Sequence, residues 1–244
     1  PAVLGATLGL SLLGCLDFGG NEFRPLGLVF WVGGLILTLL YLWMLSPVGA
    51  RDRHPKRWWR RNTLSIPLHW FVLAGILCVG AWFRFRLLHE IPASLGPDLI
   101  YNYYDALGIL NGKHLIFFPE SHGREGLLFY CIALCARAVG LSEWTLLLTS
   151  ALIGTASIVA LYALGREAFG RQVGLLAAFL LAVNRWHIIL SRSGYRVILA
   201  PLCTILALYT VIRALRKRGA VHFARAGIAL GLGFYTYKSS PFVP

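Results

Sequence analysis

The sequence predicts an all-helical, polytopic membrane protein, and three observations lead to this prediction. Hydrophobic residues make up 57% of the 244 residues, charged residues only 14%, and the mean hydropathy is +0.67. Soluble domains are usually about 45–50% apolar and about 25% charged. Several apolar runs approach the roughly 20 residues that cross a bilayer as a helix. Between these runs the basic residues gather in short clusters.

Seven apolar runs have the length and composition of membrane-spanning helices. They cover residues 1–17, 26–48, 68–88, 144–165, 172–190, 197–212 and 226–238. An eighth apolar stretch, 127–141, is shorter and contains Arg137. Its apolar length of about 14 residues is typical of segments that lie along the membrane interface or re-enter the membrane.

Three basic clusters give the orientation of the spans. The clusters RDRHPKRWWRR, GREAFGR and RALRKRGAVHFAR lie at residues 51–61, 165–171 and 213–225, and the positive-inside rule assigns all three to the cytoplasm. They can share one side only if 127–141 does not cross the membrane, so we predict that this stretch is non-spanning. The net charge of +13 then reflects topology and contact with anionic lipid, and not a nucleic-acid-binding face.

A long loop, about residues 89–143, follows the third span on the extracytoplasmic side. Five of the ten acids lie between Arg84 and Tyr130: Glu90, Asp98, Asp105, Glu120 and Glu125. A solvated connection also holds charges, but loops of this length are usually functional or disordered. Because the loop is too apolar for disorder, we predict that it is folded, with short interfacial helices.

Three arginines lie at the outer membrane boundary, on the same side as this loop, in NRWHIILSRSGYR. Arg185, Arg192 and Arg196 are spaced seven and four residues apart, so a continuing helix would present all three on one face. Guanidinium groups bind phosphate oxygens in bidentate fashion, which suits a lipid-linked phosphate. The alternative is that they snorkel to the interface. Lys238 would lie on the same side, either as a membrane anchor or as a further phosphate contact.

Carboxylates beside a basic rim at membrane depth are suited to glycosyl transfer from a polyprenyl-phosphate sugar. The acid accepts the proton of an acceptor hydroxyl or amine as this group attacks the anomeric carbon, and the cations stabilise the departing phosphate. The sequence contains neither GxxxxGK[ST] nor a GxGxxG between strand and helix, which are the usual nucleotide-binding motifs.

The motifs from about Trp82 to Pro244 resemble a known group. They are FRFRLLHEIP followed by PDLIYNYYDAL; FFPESHGREGLLFY; LYALGREAFGRQVGLLAAFLLAVNRWHIILSRSGYR; and GLGFYTYKSSPFVP. In this order and spacing they resemble the GT-C membrane glycosyltransferases, specifically the bacterial relatives of dolichyl-phosphate-mannose–protein mannosyltransferase and of the lipid A aminoarabinose transferase. The resemblance implies a GT-C bundle of transmembrane helices with a large first extracytoplasmic loop.

The resemblance also implies roles for individual residues. The family carries its essential acid in the first large outer loop, usually within an Asp-Glu pair; here Asp98 occupies the Asp position and Leu99 replaces the Glu. Asp98 is therefore the expected general base, and Asp105 a structural acid. The residues expected to bind substrate are Arg124, Glu125, Arg192, Arg196 and Lys238.

No cofactor is expected, although some members of the group bind a divalent cation. The residues that could hold one here are His114, Glu120, His122 and Glu125. Isolated His and Glu residues in a loop are more often not ligands, so no metal site is assigned.

The resemblance divides the chain into two parts. Residues 1–67 form an amino-terminal addition of two spans and a basic cytoplasmic loop, and residues 68–244 form the start of the GT-C core. Because the family continues beyond the position of Pro244, we expect the sequence to be part of a longer chain. The expected partners are the polyprenyl-phosphate sugar donor, membrane lipids and a protein, lipid or glycan acceptor.

Two other functions remain compatible with the sequence. A non-catalytic membrane scaffold of the same fold would account for Leu99 in place of the second acid. A transporter is the weaker alternative, because its charges should line a path within the spans. The interiors of the predicted spans contain almost no ionisable residues.

Overall fold

The computed structural model describes residues 2–17, 22, 24–45, 68–90, 96–119 and 123–237, which are almost entirely helical. The helices of this part of the chain are α1 (Ala2–Asp17), α2 (Pro25–Leu45), α3 (Leu68–Phe85), α4 (Pro97–Leu110), α5 (Leu127–Val139), α6 (Glu143–Phe169), α7 (Arg171–Val183), α8 (Arg185–Arg192), α9 (Leu199–Lys217) and α10 (Ala220–Phe234). A short 3-10 helix, Arg196–Ile198, precedes α9. Strands β1 (Phe117–Phe118) and β2 (Arg124–Glu125) pair in antiparallel fashion. The predicted all-α class is confirmed.

Three helical stretches of the described residues are long and apolar enough to cross a bilayer. They are α3, α6 and the stretch Arg196–Lys217, which joins the 3-10 helix to α9. The pair α7–α8 would make a fourth span, bent by 59° at its break. Large apolar side chains such as Trp70 and Leu152 are exposed on these helices, as expected for helices that contact lipid.

The span predicted at 172–190 is not one continuous helix. Helix α7 ends at Val183, and Asn184 begins α8 because its side-chain oxygen accepts a hydrogen bond from the His187 backbone N–H at 2.9 Å. Asparagine is a favoured N-cap residue. The predicted span therefore corresponds to the pair α7–α8, which is bent at this break.

Two other apolar helices are short. Helix α5 has 13 residues, or about 20 Å at 1.5 Å per residue, which is less than the roughly 30 Å of a bilayer core. This length is compatible with the non-spanning prediction for 127–141. The span predicted at 226–238 corresponds to α10, which begins earlier, at Ala220, and has 15 residues.

Helix α6 is the centre of the bundle and contacts α3, α5, α7, α8 and α9. Helices α6 and α7 approach closely at two glycines, since a Cβ on Gly165 would lie 2.8 Å from the Gly174 Cα. Small residues allow such backbone contact between membrane helices. A core cluster that includes Leu99, Leu128 and Leu146 then packs α4 and α5 against α6. The segment between α3 and α6 is thereby fixed to the bundle.

Helices α1 and α2 pack against each other. The Asp17 carboxylate accepts a hydrogen bond from the Gly27 backbone N–H at 2.8 Å and joins the end of α1 to the start of α2. Helix α2 also contacts α10. Residues 46–67, which hold the first basic cluster, lie outside the described residues, and the division of the chain at residue 68 stays a prediction.

Candidate active site

A cavity lies where α4, β2, the turn before α9 and the segment after α10 meet. Its volume is about 290 Å³, and its lining residues are Asp98, Asn102, Arg124, Tyr195, Arg196, Val197 and Tyr237. Three residues selected from the sequence, Asp98, Arg124 and Arg196, therefore line the same cavity. They come from distant parts of the chain, and the packing of α4 and α5 on the bundle brings them together.

The Asp98 carboxylate is placed by the start of α4. Pro97 occupies the first turn of this helix, where its missing N–H costs no hydrogen bond. Asp98 follows it, is exposed and lines the cavity; a negative charge in the first turn interacts favourably with the helix dipole. Gly96 precedes the helix, and its lack of a side chain leaves room for Tyr195. A Cβ at this position would lie only 2.9 Å from the Tyr195 hydroxyl oxygen.

Leu99 follows Asp98 on α4 but does not line the cavity. Only 2% of its surface is exposed, and it packs in the core cluster with Leu147 and Leu199. Its side chain also approaches Gly194, whose φ is +71°; a Cβ on Gly194 would lie 3.1 Å from Leu99 Cδ2. Position 99 therefore belongs to the apolar core, and a second acid there would not line the cavity.

Replacement of this leucine by the acid expected from the resemblance should destabilise the protein. We expect Leu99→Glu to lower the free energy of unfolding by about 3–5 kcal/mol, because it buries an unpaired charge. Turnover should not rise. Thermal unfolding in detergent measures the effect, and Ile100→Glu is the matched control. Ile100 is 51% exposed, so its replacement should change stability by no more than about 0.5 kcal/mol. Equal stability of the two variants would contradict the core assignment.

Arg124 is held by several contacts at the bottom of the cavity. The residue is 2% exposed and forms an ion pair with Asp105, which lies on α4. Its Nη1–H donates to Asn102 Oδ1 at 3.0 Å, and its guanidinium carbon lies 4.9 Å from the centre of the Phe129 ring. The Asn102 amide in turn donates to the Gly194 carbonyl at 3.1 Å. This chain of polar contacts joins α4 to β2 and to the turn before α9.

Glu125 and Arg196 form a second ion pair at the cavity. Arg196 Nη1 lies 2.7 Å from Glu125 Oε2, and both side chains are largely buried, with 16% and 12% exposed. The Arg196 guanidinium also lies 5.8 Å from the centre of the Tyr237 ring. Glu125 follows Arg124 in β2, whose pairing with Phe117 and Phe118 of β1 holds both charged residues at the cavity.

Tyr235 attaches the end of α10 to the β1–β2 segment. Its hydroxyl donates to the Ile116 carbonyl. This contact holds Tyr237, two residues later, against the cavity.

Arg192 does not line the cavity. Helix α8 ends at Arg192, Gly194 adopts a positive φ, and the 3-10 helix begins at Arg196, so the arginines do not share one helical face as predicted. Arg185 is exposed at the start of α8. The Arg192 guanidinium instead donates to backbone carbonyls at the end of α3. The break after α8 is the reason why the spacing of seven and four residues misled the prediction.

The structure describes only some of the remaining residues that were predicted to bind substrate or metal. Lys238, Glu120 and His122 lie outside the described residues. Within the described residues there is no group of three or more His, Cys, Asp or Glu side chains that could hold a metal ion. His114 instead stacks near Tyr130, with ring centres 6.5 Å apart.

Sequence reasoning missed three polar residues of the cavity, namely Asn102, Tyr195 and Tyr237. Asn102 follows Asp98 by four residues on α4, so the helical period could have identified it. Tyr195 and Tyr237 lie in irregular segments beside Arg196 and after α10. Because their positions depend on turns between distant helices, no local signal in the sequence indicated them.

Comparison with known proteins bears on the second half of the chain. Residues 126–244 match the family described as dolichyl-phosphate-mannose-protein mannosyltransferase. The "Putative mannosyltransferase YkcB" of Bacillus subtilis (strain 168) is 27% identical over 97 residues, which are 40% of this chain and 14% of that protein. The chain thus spans far less than two thirds of this relative. Arg196 and Lys238 lie inside the family match, whereas Asp98 and Arg124 precede it.

Proposed function

We propose that the chain, a mannosyltransferase-like membrane protein by its similarity to known proteins, transfers a sugar from a polyprenyl-phosphate donor. The acceptor is a hydroxyl or amine of a protein, lipid or glycan, and the reaction takes place on the extracytoplasmic side. The observation that carries this proposal is the cavity in which the exposed carboxylate of Asp98 lies with the guanidinium groups of Arg124 and Arg196.

Asp98 is the proposed general base. The acceptor oxygen or nitrogen attacks the anomeric carbon and forms the new glycosidic bond, while its proton passes to the Asp98 carboxylate. The bond between the anomeric carbon and the phosphate oxygen breaks, and its electron pair leaves with the polyprenyl phosphate. Among the described residues no hydrogen bond or ion pair engages the Asp98 carboxylate, so it is available to a substrate.

Arg196 is the proposed contact for the donor phosphate. Its ion pair with Glu125 uses Nη1, and arginine has further N–H donors on Nη2 and Nε. These can donate to the phosphate oxygens, where negative charge develops as the bond breaks. Arg124 uses both terminal nitrogens for Asp105 and Asn102; its role is to supply positive potential and to hold α4. Lys238 stays a predicted further phosphate contact.

The extracytoplasmic side of the reaction is inferred from charge. The second and third basic clusters lie at the turn between α6 and α7 and at the turn between α9 and α10. The Asp98 cavity lies beyond the other end of these helices, next to the start of the stretch Arg196–Lys217. If the clusters face the cytoplasm, the cavity faces the other side.

A transfer assay tests the proposal. The full-length protein in nanodiscs is incubated with polyprenyl-phosphate mannose labelled in the sugar, and sugar transfer and release of polyprenyl phosphate are measured. Mannose is the first choice because the relative and the family are named for it; other polyprenyl-phosphate sugars follow. Consumption of none of these donors would overturn the proposal and favour a non-catalytic scaffold.

Removal of the phosphate contact should weaken donor binding. We expect Arg196→Gln to raise the KM for the donor by about 10- to 100-fold, since hydrogen bonds to charged groups contribute about 1.5–3 kcal/mol. Steady-state kinetics at varied donor concentration measures this change. Arg185→Gln is the matched control, because Arg185 is exposed at the start of α8 and does not line the cavity.

The Arg196→Gln substitution removes the guanidinium and also leaves Glu125 without its partner. The double variant Arg196→Gln with Glu125→Gln separates these two effects. It removes the carboxylate that Arg196→Gln leaves unpaired in the cavity. If phosphate binding requires the guanidinium, the donor KM stays high in the double variant. A return of the KM to the native value would mean that the unpaired Glu125 caused the defect, and Arg196 would lose its assigned role.

A further inference from the structure

A buried arginine near the end of α3 contacts the break between α7 and α8. Arg84 is 0% exposed and does not line the cavity. Its Nη1–H groups donate to the carbonyl oxygens of Gly80, one turn earlier, at 2.9 Å and of Ala182 at 3.1 Å. One Nη2–H donates to the Leu181 carbonyl at 3.2 Å. Arg84 thus binds two carbonyl groups of the last turn of α7, where the helical hydrogen bonds end; the Leu181 carbonyl also accepts from the Asn184 backbone N–H at 3.3 Å.

The same guanidinium also contacts two side chains of α8. Its Nε–H donates to Ser191 Oγ at 3.3 Å, and the second Nη2–H to His187 Nδ1 at 2.9 Å. Arginine has no acceptor, so the imidazole accepts at Nδ1 and carries its proton on Nε2. All five N–H donors of Arg84 therefore have acceptors, and no carboxylate of the described residues pairs with it.

A second arginine makes the converse contact. Arg192, the last residue of α8, directs its guanidinium at the end of α3. Nη1 lies 3.0 Å from the carbonyl oxygens of Phe83 and Arg84 and 2.8 Å from that of Arg86, and Nη2 lies 3.1 Å from that of Leu87. A cation at these carbonyls stabilises the carboxyl end of a helix. Helix α3 and the α7–α8 pair thus each place an arginine on the helix end of the other.

The contacts of Arg84 and Arg192 fix a segment that directly precedes, along the chain, one wall of the cavity. After Arg192 the chain continues through Gly194, whose carbonyl accepts from Asn102, to Tyr195, Arg196 and Val197, which line the cavity. We propose that Arg84 and Arg192 form a reciprocal arginine clamp and act as positioning residues for this wall. The clamp fixes the end of α8, and α8 fixes the place from which Arg196 reaches the donor. The catalytic consequence rests on the proposed function.

The two arginines differ in what can replace them. Arg84 joins five acceptors that lie in several directions around one planar group, and a lysine has only three donors on one nitrogen. Arg192 is partly exposed and caps carbonyls at a helix end, which a lysine ammonium can also do. We therefore expect Arg192→Lys to preserve much of the clamp and Arg84→Lys to lose it.

Thiol labelling reports the position of the wall without any need for activity. Val197→Cys is made in the full-length protein after replacement of its native cysteines by alanine, and the rate of its reaction with a maleimide is measured. We expect Arg84→Gln and Arg192→Gln to raise this rate by about fivefold or more, because the freed wall opens more often. Arg86→Gln is the matched control. Arg86 is exposed on Trp82, 5.0 Å from the ring centre, and should leave the rate unchanged.

Kinetics of the same variants, with the native cysteines and Val197 retained, give the second readout. Arg192→Gln should raise the donor KM by about tenfold, since small misplacements of binding groups have effects of this size. Arg192→Lys should recover most of the loss.

If Arg84→Gln fails to fold, Arg192→Gln carries both tests. Unchanged labelling and KM in a folded Arg192→Gln protein would overturn the clamp. Absence of turnover in the native protein would overturn the proposed function alone, because labelling still decides the clamp.

Discussion

Asp98→Asn should reduce sugar transfer by about 10²- to 10⁴-fold, which is the usual contribution of a general acid or base. The amide keeps the shape of the carboxyl group but cannot accept the acceptor's proton. Asp98 is exposed and lines the cavity without a partner among the described residues, so the loss should fall on kcat. Helix α4 should lose no more than about 0.3–1 kcal/mol of dipole interaction, and the protein should unfold at nearly the native temperature.

The control for this variant is another acid of the same segment. Glu90 is exposed near the end of α3 and does not line the cavity, so Glu90→Gln should keep native turnover. The assay follows release of polyprenyl phosphate from the donor at saturating acceptor. Full turnover by Asp98→Asn, with Glu90→Gln also active, would exclude Asp98 as the general base. It would direct attention to Glu125, which lies beside the same cavity.

Asp105→Asn should destabilise the protein by about 3–5 kcal/mol, because it leaves the Arg124 charge buried without a counter-ion. The side chains of the pair are only 3% and 11% exposed. The pair also joins α4 to β2, so its loss should disturb the cavity as well as the fold. Thermal unfolding in detergent, followed by circular dichroism and by retention of monodisperse protein, measures the change.

An ion pair at the surface, away from the cavity, provides the matched control. Glu167 interacts with Arg216, whose side chain is 53% exposed, at 3.7 Å. Surface pairs of this kind contribute about 0–1 kcal/mol, so Glu167→Gln should have little effect. Replacement of both partners, Asp105→Leu with Arg124→Met, should recover much of the stability of Asp105→Asn, because no charge remains buried. Equal stability of Asp105→Asn and Glu167→Gln would contradict the structural role given to Asp105.

The fold class followed from the sequence because membrane helices are specified locally. Apolar length alone predicted α3, α6 and α9, whose bounds differ from the predicted spans by a few residues. The interior of α3 consists of Leu, Val, Ile, Trp and Phe with small residues, and such a run has few other stable conformations in a bilayer. For these helices the information lies within about 20 consecutive residues.

Part of the candidate site could also be predicted. Asp98, Arg124 and Arg196 line one cavity. The resemblance to the GT-C glycosyltransferases selected all three, and Arg196 was also selected as an arginine at the outer membrane boundary. Their proposed chemical roles stay predictions, which the Asp98→Asn and Arg196→Gln variants would test.

The break at Asn184 was not predicted, although asparagine is a favoured N-cap residue, because part of what stabilises it lies elsewhere in the chain. The run from Val173 to Val183 is apolar and continuous, and the carbonyls at its end are satisfied by Arg84, 97 and 98 residues earlier. The spacing of Arg185, Arg192 and Arg196 fails for a separate reason, because α8 ends at Arg192 and Arg196 begins the 3-10 helix. Arg192 therefore does not line the cavity, and its contact with the phosphate stays a prediction.

The contacts of Arg84 have a consequence for biogenesis. The groups on α7 and α8 that bind this guanidinium lie roughly 100 residues later in the chain. At 5–20 residues per second, they are synthesised about 5–20 s after α3. A bare arginine inside a bilayer costs about 2.5–3.5 kcal/mol. Near the end of α3 it can remain at the hydrated surface until then. Its burial is therefore a late step, because the contacts of Arg84 can be completed only after α7 and α8 have been synthesised.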